Sequence, residues 1–128
     1  MYKVTRPAEM NETFARAFDD RDLDGLLSLY EPEAALRPHG TQAVRRGARA
    51  IADELRALLA LPGTMASRNT FCLEAGDLAL MRSEFRIVAE DGTVVAAGGG
   101  VEVVRRQADG RWLYVIDHAA GAGLPAAA

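Results

Sequence analysis

Residues 81–118, MRSEFRIVAEDGTVVAAGGGVEVVRRQADGRWLYVIDH, contain two Asp-Gly pairs, each between runs of strand-forming residues. Asp-Gly favours tight hairpin loops, because both central residues of such a turn need a positive φ. The pairs Asp91-Gly92 and Asp109-Gly110 therefore predict an antiparallel meander, which a further strand before Gly76-Asp77 extends. The four predicted strands are residues 65–74, 77–90, 93–107 and 111–118.

Upstream of the meander, the apolar residues change to helical spacing. A first helix, with start signals at Thr5 and Pro7, carries the stripe Met10, Phe14, Ala17 and Phe18. A short second helix, capped by Asp22 and ended by Pro32, carries Leu23, Leu26, Leu27 and Tyr30, and residues 34–37 follow as a short strand. A third helix, from about 46 to 60 and stopped by Pro62-Gly63, carries Ile51, Leu55, Leu58 and Leu59. Helices followed by a meander predict an α+β domain with the helices on one face of the sheet.

The hairpin loops also predict which residues face each other. If each Asp-Gly pair is a two-residue loop, Met81 lies opposite Glu102, and Glu102 lies opposite Asp117. A four-residue loop centred on Asp109-Gly110 gives the same pairing. Side chains alternate between the faces of a strand, so the face under the helices should carry Met81, Ser83, Phe85, Ile87, Glu102, Val104, Val115 and Asp117. The outer face should carry Arg82, Glu84, Arg86, Val95, Val101, Val103, Trp112, Tyr114, Ile116 and His118. Charges mixed with large apolar groups suit a subunit interface at least as well as water.

The predicted Glu102–Asp117 pair places two acids together on an otherwise apolar face. Like charges in opposed strand positions destabilise a sheet, so one acid should stay protonated at neutral pH. A neutral acid can donate a hydrogen bond to a developing oxyanion, while its ionised neighbour accepts a proton. The alternative is structural: Asp117 could accept backbone N–H groups and Glu102 could pair with Arg37 or Arg49. A one-residue bulge in either hairpin would also break this register.

Composition limits the classes of function. The 128 residues carry a formal net charge of −3, which favours neither nucleic acid nor an anionic membrane. The single cysteine, Cys72, excludes an internal disulfide, and two distant histidines make a metal site improbable. The N-terminus lacks the apolar core of a signal peptide, so we expect a cytoplasmic protein. We expect one domain over residues 1–128, with its core at about 8–120 and a flexible tail at 119–128.

Three stretches resemble the nuclear transport factor 2-like superfamily, and the uncharacterised bacterial SnoaL-like branch in particular. They are DDRDLDGLLSLYEPEAAL at 19–36, GARAIADELRALLAL at 47–61 and DGRWLYVIDHAAG at 109–121. This resemblance implies a cone, in which a strongly curved antiparallel or mixed sheet wraps around the N-terminal helices and encloses an apolar pocket. It also implies a homodimer formed through the outer sheet face.

Ketosteroid isomerase belongs to the same superfamily, and its site residues match only in part. Its general-base Asp corresponds to Pro38, with His39 next to it, and its oxyanion-hole Tyr corresponds to Phe14. Its protonated Asp, a standard case of a neutral buried acid, corresponds to Glu102. Because the base and the tyrosine are missing, we do not expect steroid isomerisation by that set of residues.

The sequence therefore predicts a site. The candidate catalytic residues are Asp117, Glu102 and His39. The candidate pocket residues are Phe14, Phe18, Tyr30, Met81, Ser83, Phe85, Val104 and Val115, and the candidate interface residues are Trp112, Tyr114 and Arg86. The ligand would be a small apolar organic compound, with no metal, cofactor, nucleic acid or membrane involved. Three functions stay open: a cofactor-independent isomerase, cyclase or hydrolase acting on a carbonyl compound, a non-catalytic binding module, and an association domain.

Overall fold

The computed structural model of the chain describes residues 2–123. It contains three α-helices, the first of which follows a 3-10 turn at Pro7–Glu9. The helices are α1 (Met10–Asp19), α2 (Leu23–Leu27) and α3 (Gly47–Leu59). The strands are β1 (Tyr30–Arg37), β2 (Arg45–Arg46), β3 (Thr64–Ala75), β4 (Leu78–Val88), β5 (Val94–Arg106) and β6 (Trp112–His118).

The six strands form one curved sheet in the order β2-β1-β6-β5-β4-β3. All neighbouring strands are antiparallel except β1 and β6, which are parallel. The helices cover the inner face, where the core includes Met10, Leu26, Ile51, Leu55, Met81 and Val104. The predicted α+β cone is confirmed. No helix within residues 2–123 has the length and apolar character that crossing a membrane requires.

The start of β1 differs from the prediction. Asp22 caps α2 as expected, accepting a hydrogen bond from the Gly25 N–H at 2.8 Å. The helix then ends at Leu27, and Tyr30 begins β1 instead of closing the helix. Pro32 lies inside β1, where the pairing with β6 is irregular between Tyr30 and Ala35. A proline has no N–H to give to a ladder, so strands accept it at such irregularities.

Both hairpins contain a compensated shift of register. Each loop holds three residues, because Ala89 N–H donates to Thr93 O at 2.8 Å and Gln107 N–H donates to Arg111 O at 2.7 Å. The third loop residue is a glycine with φ of +88° in both hairpins, Gly92 and Gly110. This is the usual three-residue hairpin, and it offsets the strands by one residue relative to a two-residue loop.

A bulge in each hairpin then restores the predicted register. Beyond the bulge in β5, Met81 lies opposite Glu102 and Ser83 opposite Gly100, as predicted. Beyond the bulge at Val115 in β6, Glu102 lies opposite Asp117. The central pair of acids is therefore confirmed, and the pairs between each bulge and its loop are displaced by one residue.

The one-residue shift of register at Trp112–Tyr114 in β6 contradicts three site predictions. Val104 faces Tyr114, so Tyr114 turns to the inner face and only 1% of it is exposed. Trp112 is also buried in the core, at 3% exposure. The prediction that these two aromatics form a subunit interface is wrong, because the bulge at Val115 turns their side chains from the outer to the inner face of the sheet. Val115 is itself the extra residue of the bulge and does not line the cavity described below.

Candidate functional site

A cavity of about 290 Å³ lies between the helices and the inner face of the sheet. Its walls are mainly apolar and aromatic, as in most small-molecule sites. Helices α1 and α3 contribute Asn11, Phe14, Glu54, Leu55, Ala57 and Leu58, and β1 with its following loop contributes Tyr30, Leu36, Pro38 and His39. The meander contributes Met65, Ser67, Ser83, Phe85, Ala96, Gly100, Glu102, Tyr114 and Asp117, and Leu61 and Ala119 complete the lining.

Glu102 is the most deeply buried acid of this cavity, with 2% of its surface exposed. Its Oε1 accepts a hydrogen bond from Asn11 Nδ2 at 2.5 Å, and its Oε2 accepts one from the Ser83 hydroxyl at 3.2 Å. Burial, together with the charge of Asp117, raises the pKa of Glu102 from 4.5 to about 7, although both hydrogen bonds oppose this rise. A large share of Glu102 is therefore protonated at neutral pH.

Asp117 faces Glu102 across the β5–β6 ladder and has a different environment. The Tyr30 hydroxyl donates to Asp117 Oδ2 at 2.5 Å. Burial raises the pKa of Asp117 from 3.8 to about 6, and the bond from Tyr30 works against this rise. Asp117 is therefore mostly ionised at neutral pH. Its Oδ1 accepts no side-chain hydrogen bond within residues 2–123, which leaves this oxygen for a ligand.

Two tyrosines support the acids as neutral hydrogen-bond donors. Tyr30 and Tyr114 pack with their ring centroids 4.9 Å apart. Burial and the neighbouring carboxylates raise the pKa of both hydroxyls well above 10. The Tyr114 hydroxyl donates to Asn11 Oδ1 at 2.6 Å, so it reaches Glu102 only through that amide.

The sequence interpretation missed Asn11 and the inward position of Tyr114. Asn11 lies on α1, three residues before Phe14 and seven before Phe18, so it belongs to the apolar stripe of that helix. A polar residue within an apolar stripe was the signal that could have identified it. Tyr114 could not be identified in this way, since its direction depends on the bulge at Val115.

His39 follows β1 and lines the cavity, as predicted for a loop at the pocket rim. Its ring meets Phe85 edge-on, with centroids 6.0 Å apart. Gly98 makes this contact possible, because a Cβ at that position would lie 2.9 Å from Phe85 Cε1 and 3.4 Å from His39 Nδ1. The structure thus brings His39 to the same cavity as Glu102 and Asp117.

The other predicted pocket residues divide into two groups. Phe14, Tyr30, Ser83 and Phe85 line the cavity. Phe18, Met81 and Val104 are fully buried in the core and do not contribute to the cavity wall. Arg86 is exposed on the outer side of β4, and its role at an interface stays a prediction. His118 contacts Arg37, with its Nε2 3.2 Å from Arg37 Nη1, and does not line the cavity.

Residues 119–123, which were predicted to be flexible, bond to the sheet. Ala119 N–H donates to Arg37 O at 3.0 Å, and Ala122 N–H donates to Gly99 O at 3.1 Å. The rest of the predicted tail, 124–128, lies outside the described residues. Within residues 2–123, no group of three His, Cys, Asp or Glu side chains could hold a metal ion.

Gly100 keeps the space that the Glu102 carboxyl occupies, and Gly100→Ala should disturb it. A Cβ at this position would lie 2.8 Å from Glu102 Oε2 and 3.0 Å from Ser83 Oγ. We expect urea denaturation to show a loss of about 1–3 kcal/mol in the free energy of unfolding, the usual effect of overpacking. The control is Gly99→Ala, whose Cβ would meet only Ala122 Cβ closely, at 3.1 Å on the other face. Equal losses in both variants would contradict this prediction.

Comparison with known proteins agrees with this fold. A family model described as SnoaL-like domain matches residues 11–115. No curated protein matches the sequence.

Solved structures share the fold at low sequence identity. A putative calcium/calmodulin-dependent protein kinase type II association domain from Thiobacillus denitrificans is 21% identical, with a TM-score of 0.78 over 94% of this chain and 98% of that one. A protein of unknown function with a cystatin-like fold from Nostoc punctiforme is 21% identical, with a TM-score of 0.76 over 91% and 90% of the two chains. A ketosteroid isomerase-like protein from Erwinia carotovora atroseptica is 20% identical, with a TM-score of 0.71 over 85% and 88%. At these identities, the likeness establishes the fold alone.

Proposed function

This chain belongs to the SnoaL-like domain family, and we propose that it binds a small apolar carbonyl compound and transfers a proton on it without a cofactor. The observation that supports this most is the pair Glu102 and Asp117, opposed on adjacent strands at one wall of an apolar cavity. The two acids have different hydrogen-bond partners, which separates their protonation states. Such a separation is how one site supplies both an acid and a base near neutral pH.

In the proposed reaction, Asp117 is the base. Its carboxylate takes a proton from the carbon next to the carbonyl group, and that C–H electron pair forms the enolate. Glu102, as the neutral acid, donates a hydrogen bond to the developing enolate oxygen. Return of the proton to the same or another carbon completes an exchange or an isomerisation. His39, in the same wall, is the candidate for carrying a proton to or from the rim of the cavity.

The charge of the cavity wall favours a neutral ligand. Among the described residues, its lining includes three acids, Glu54, Glu102 and Asp117, and no Lys or Arg. Glu54 is already paired with Arg45 at 2.8 Å. A ligand carboxylate or phosphate would therefore meet carboxylates without a compensating cation, which costs free energy in a partly buried site. A ketone or aldehyde avoids this repulsion.

Hydrogen–deuterium exchange at carbon tests the proposed function directly. Small cyclic and aromatic ketones are incubated with the protein in D2O near pH 6.5, and loss of the α-proton signal is followed by NMR. We expect exchange of at least one ketone above the buffer rate. The control is the double variant Glu102→Gln/Asp117→Asn, which keeps the shape of the cavity. Exchange that is equal with this variant, or absent for every ketone that binds, would reject proton transfer and leave a binding module.

The outer sheet face supports a second role, assembly of two copies of the chain. Leu73 of β3, Leu80 of β4, Val103 of β5 and Ile116 of β6 form one row across four strands. Leu73, Leu80 and Ile116 are 64%, 39% and 48% exposed. An exposed apolar row of this kind across a sheet face is typical of an interaction surface. We propose a homodimer through this row, in a protein located in the cytoplasm.

Leu80→Arg should separate such a dimer into monomers. It places a charge in the centre of the row, where burial against a second copy would leave the charge unpaired. We expect light scattering after size exclusion to report half the molar mass of the unaltered protein. The control is Val44→Arg, at an exposed apolar residue outside the row. A monomeric unaltered protein at micromolar concentration would overturn the proposed assembly.

A further inference from the structure

A chain of amide hydrogen bonds leads from a backbone carbonyl to Glu102. The carbonyl of Ala8 accepts from Asn69 Nδ2 at 3.0 Å, and Asn69 Oδ1 accepts from Asn11 Nδ2 at 2.7 Å. Asn11 Nδ2 also donates to Glu102 Oε1 at 2.5 Å. The first member, a backbone carbonyl, can only accept, so each following amide has only one orientation that satisfies it.

The reverse orientation of either amide is unfavourable. If Asn69 turned over, its oxygen would face the oxygen of Ala8. If Asn11 turned over, its oxygen would face both Asn69 Oδ1 and Glu102 Oε1. In this orientation the Tyr114 hydroxyl donates to Asn11 Oδ1 at 2.6 Å and completes the hydrogen bonding of the amide. Two acceptors facing each other without a donor carry a penalty, which is largest at the buried Asn11–Glu102 end of the chain, so the observed direction is favoured.

We infer that Asn11 is a positioning residue that confines the proton of Glu102 to Oε2. Asn11 donates an N–H to Glu102 Oε1. A proton on Oε1 would point at this N–H, so that two donors would face each other. The proton must therefore sit on Oε2. That oxygen is bordered by Ser83 and Gly100, both of which line the cavity, whereas Oε1 faces the amide of α1.

This arrangement deepens the proposed function and depends on it only for its use in catalysis. With the proton on Oε2, the neutral acid presents its donor towards the cavity, and the Ser83 hydroxyl can turn to accept when no ligand is bound. An acid with two equivalent oxygens would point its proton into α1 for part of the time. Asn11, which also lines the cavity, removes that second state through its hydrogen bond to Glu102 Oε1.

Burial and the charge of Asp117 raise the pKa of Glu102, and the hydrogen bonds from Asn11 and Ser83 oppose this rise. The other polar or charged groups at the cavity wall are Tyr30 and Tyr114 from the sheet, His39 from the loop after β1, and Glu54 of α3 with its partner Arg45. The test must therefore separate loss of the Asn11 hydrogen bond from a general change in burial. A variant that alters only the donor, compared with a matched variant of the same helix, achieves this.

The decisive variant is Asn11→Leu, which keeps the size of the side chain and removes the donor. The control is Thr13→Val, also buried on α1, whose hydroxyl donates only to Glu9 O at 2.8 Å. Glutamate labelled with ¹³C at the carboxyl carbon is incorporated, and the resonance and infrared band of Glu102 are identified by their loss in Glu102→Gln. NMR then gives the titration of Glu102, and infrared spectroscopy gives the C=O stretch of its protonated form.

In Asn11→Leu, we expect the pKa of Glu102 to rise by about one pH unit or more, because a bond that favours the ionised form is lost. The C=O stretch should move to higher wavenumber, since Oε1 no longer accepts a hydrogen bond. Thr13→Val should change neither. A folded Asn11→Leu protein with both signals unchanged would overturn the inference.

If Asn11→Leu does not fold, Asn69→Leu takes its place. It removes the amide that orients Asn11 and leaves Asn11 and Glu102 intact, so both signals should move in the same direction by less. Unchanged signals there would also overturn the inference. No substrate enters these measurements, so they can succeed when ketone exchange fails, and ketone exchange can succeed when they fail.

Discussion

Glu102→Gln is expected to raise the free energy of unfolding at about pH 8 by about 3 kcal/mol. The rise in the pKa of Glu102 from 4.5 to about 7, at about 1.4 kcal/mol per unit, sets this figure. Gln has nearly the same shape, and its amide can accept from Asn11 and donate to Ser83, so the packing is kept. What disappears is the need to ionise a buried acid beside Asp117.

The sign of this effect depends on pH. Since the folded-state pKa is raised, Glu102 contributes its stability in full below about pH 4.5, and that contribution is lost as pH rises through about 7. Gln cannot ionise, so the variant should match the unaltered protein near pH 4 and exceed it increasingly up to about pH 8. Urea denaturation at the two pH values measures the difference.

A second substitution controls for the simple removal of a negative charge. Glu33→Gln changes an acid on the exposed part of β1, far less constrained by burial. It should alter the free energy of unfolding by no more than about 0.5 kcal/mol at either pH. If Glu102→Gln gave the same change at pH 4 as at pH 8, burial of an ionisable Glu102 would not be the cause.

The sequence predicted the central pair of acids for a reason that was only partly right. The assumed two-residue loops were wrong by one residue, and the bulges in β5 and at Val115 cancelled that error over the middle of each hairpin. Loop length and bulges come from local backbone geometry that the Asp-Gly signal does not specify. The same geometry decided the position of Tyr114, so the sequence placed Glu102 and Asp117 correctly and this tyrosine on the wrong face.

The remaining features depended on tertiary contacts between distant segments. The parallel pairing of β1 with β6 brings Tyr30 to Asp117, across 87 positions of the chain. The bond between Asn11 and Glu102 spans 91 positions. Apolar spacing predicts that α1 lies on the sheet, and it does not predict which polar side chains meet there. The individual hydrogen bonds within the site could therefore be identified only from the structure.

Asp117→Asn is expected to reduce the proposed proton transfer by about 10²–10⁴-fold, the usual contribution of a general base. The amide can still accept from the Tyr30 hydroxyl, so the position of the side chain is kept, but it cannot take a proton from carbon. His118→Ala, at the adjacent residue outside the cavity, is the matched control and should keep the full rate. Loss of the rate in both variants would show damage to β6 instead of loss of a base.

The pH profile separates the two acids further. For the unaltered protein, the rate of ketone exchange should rise as Asp117 ionises, around pH 6, and fall as Glu102 loses its proton, around pH 7. The rising and falling parts of this pH profile are set by two coupled acids, so a substitution of either acid also shifts the pH at which the other titrates.

Glu102→Gln should lower the maximum rate and abolish the fall on the alkaline side, because its amide donates a hydrogen bond at every pH. Tyr30→Phe should move the rising limb to higher pH, since Asp117 loses the hydroxyl that stabilises its charge. A profile that is flat between pH 5 and pH 8 would exclude both acids from the reaction.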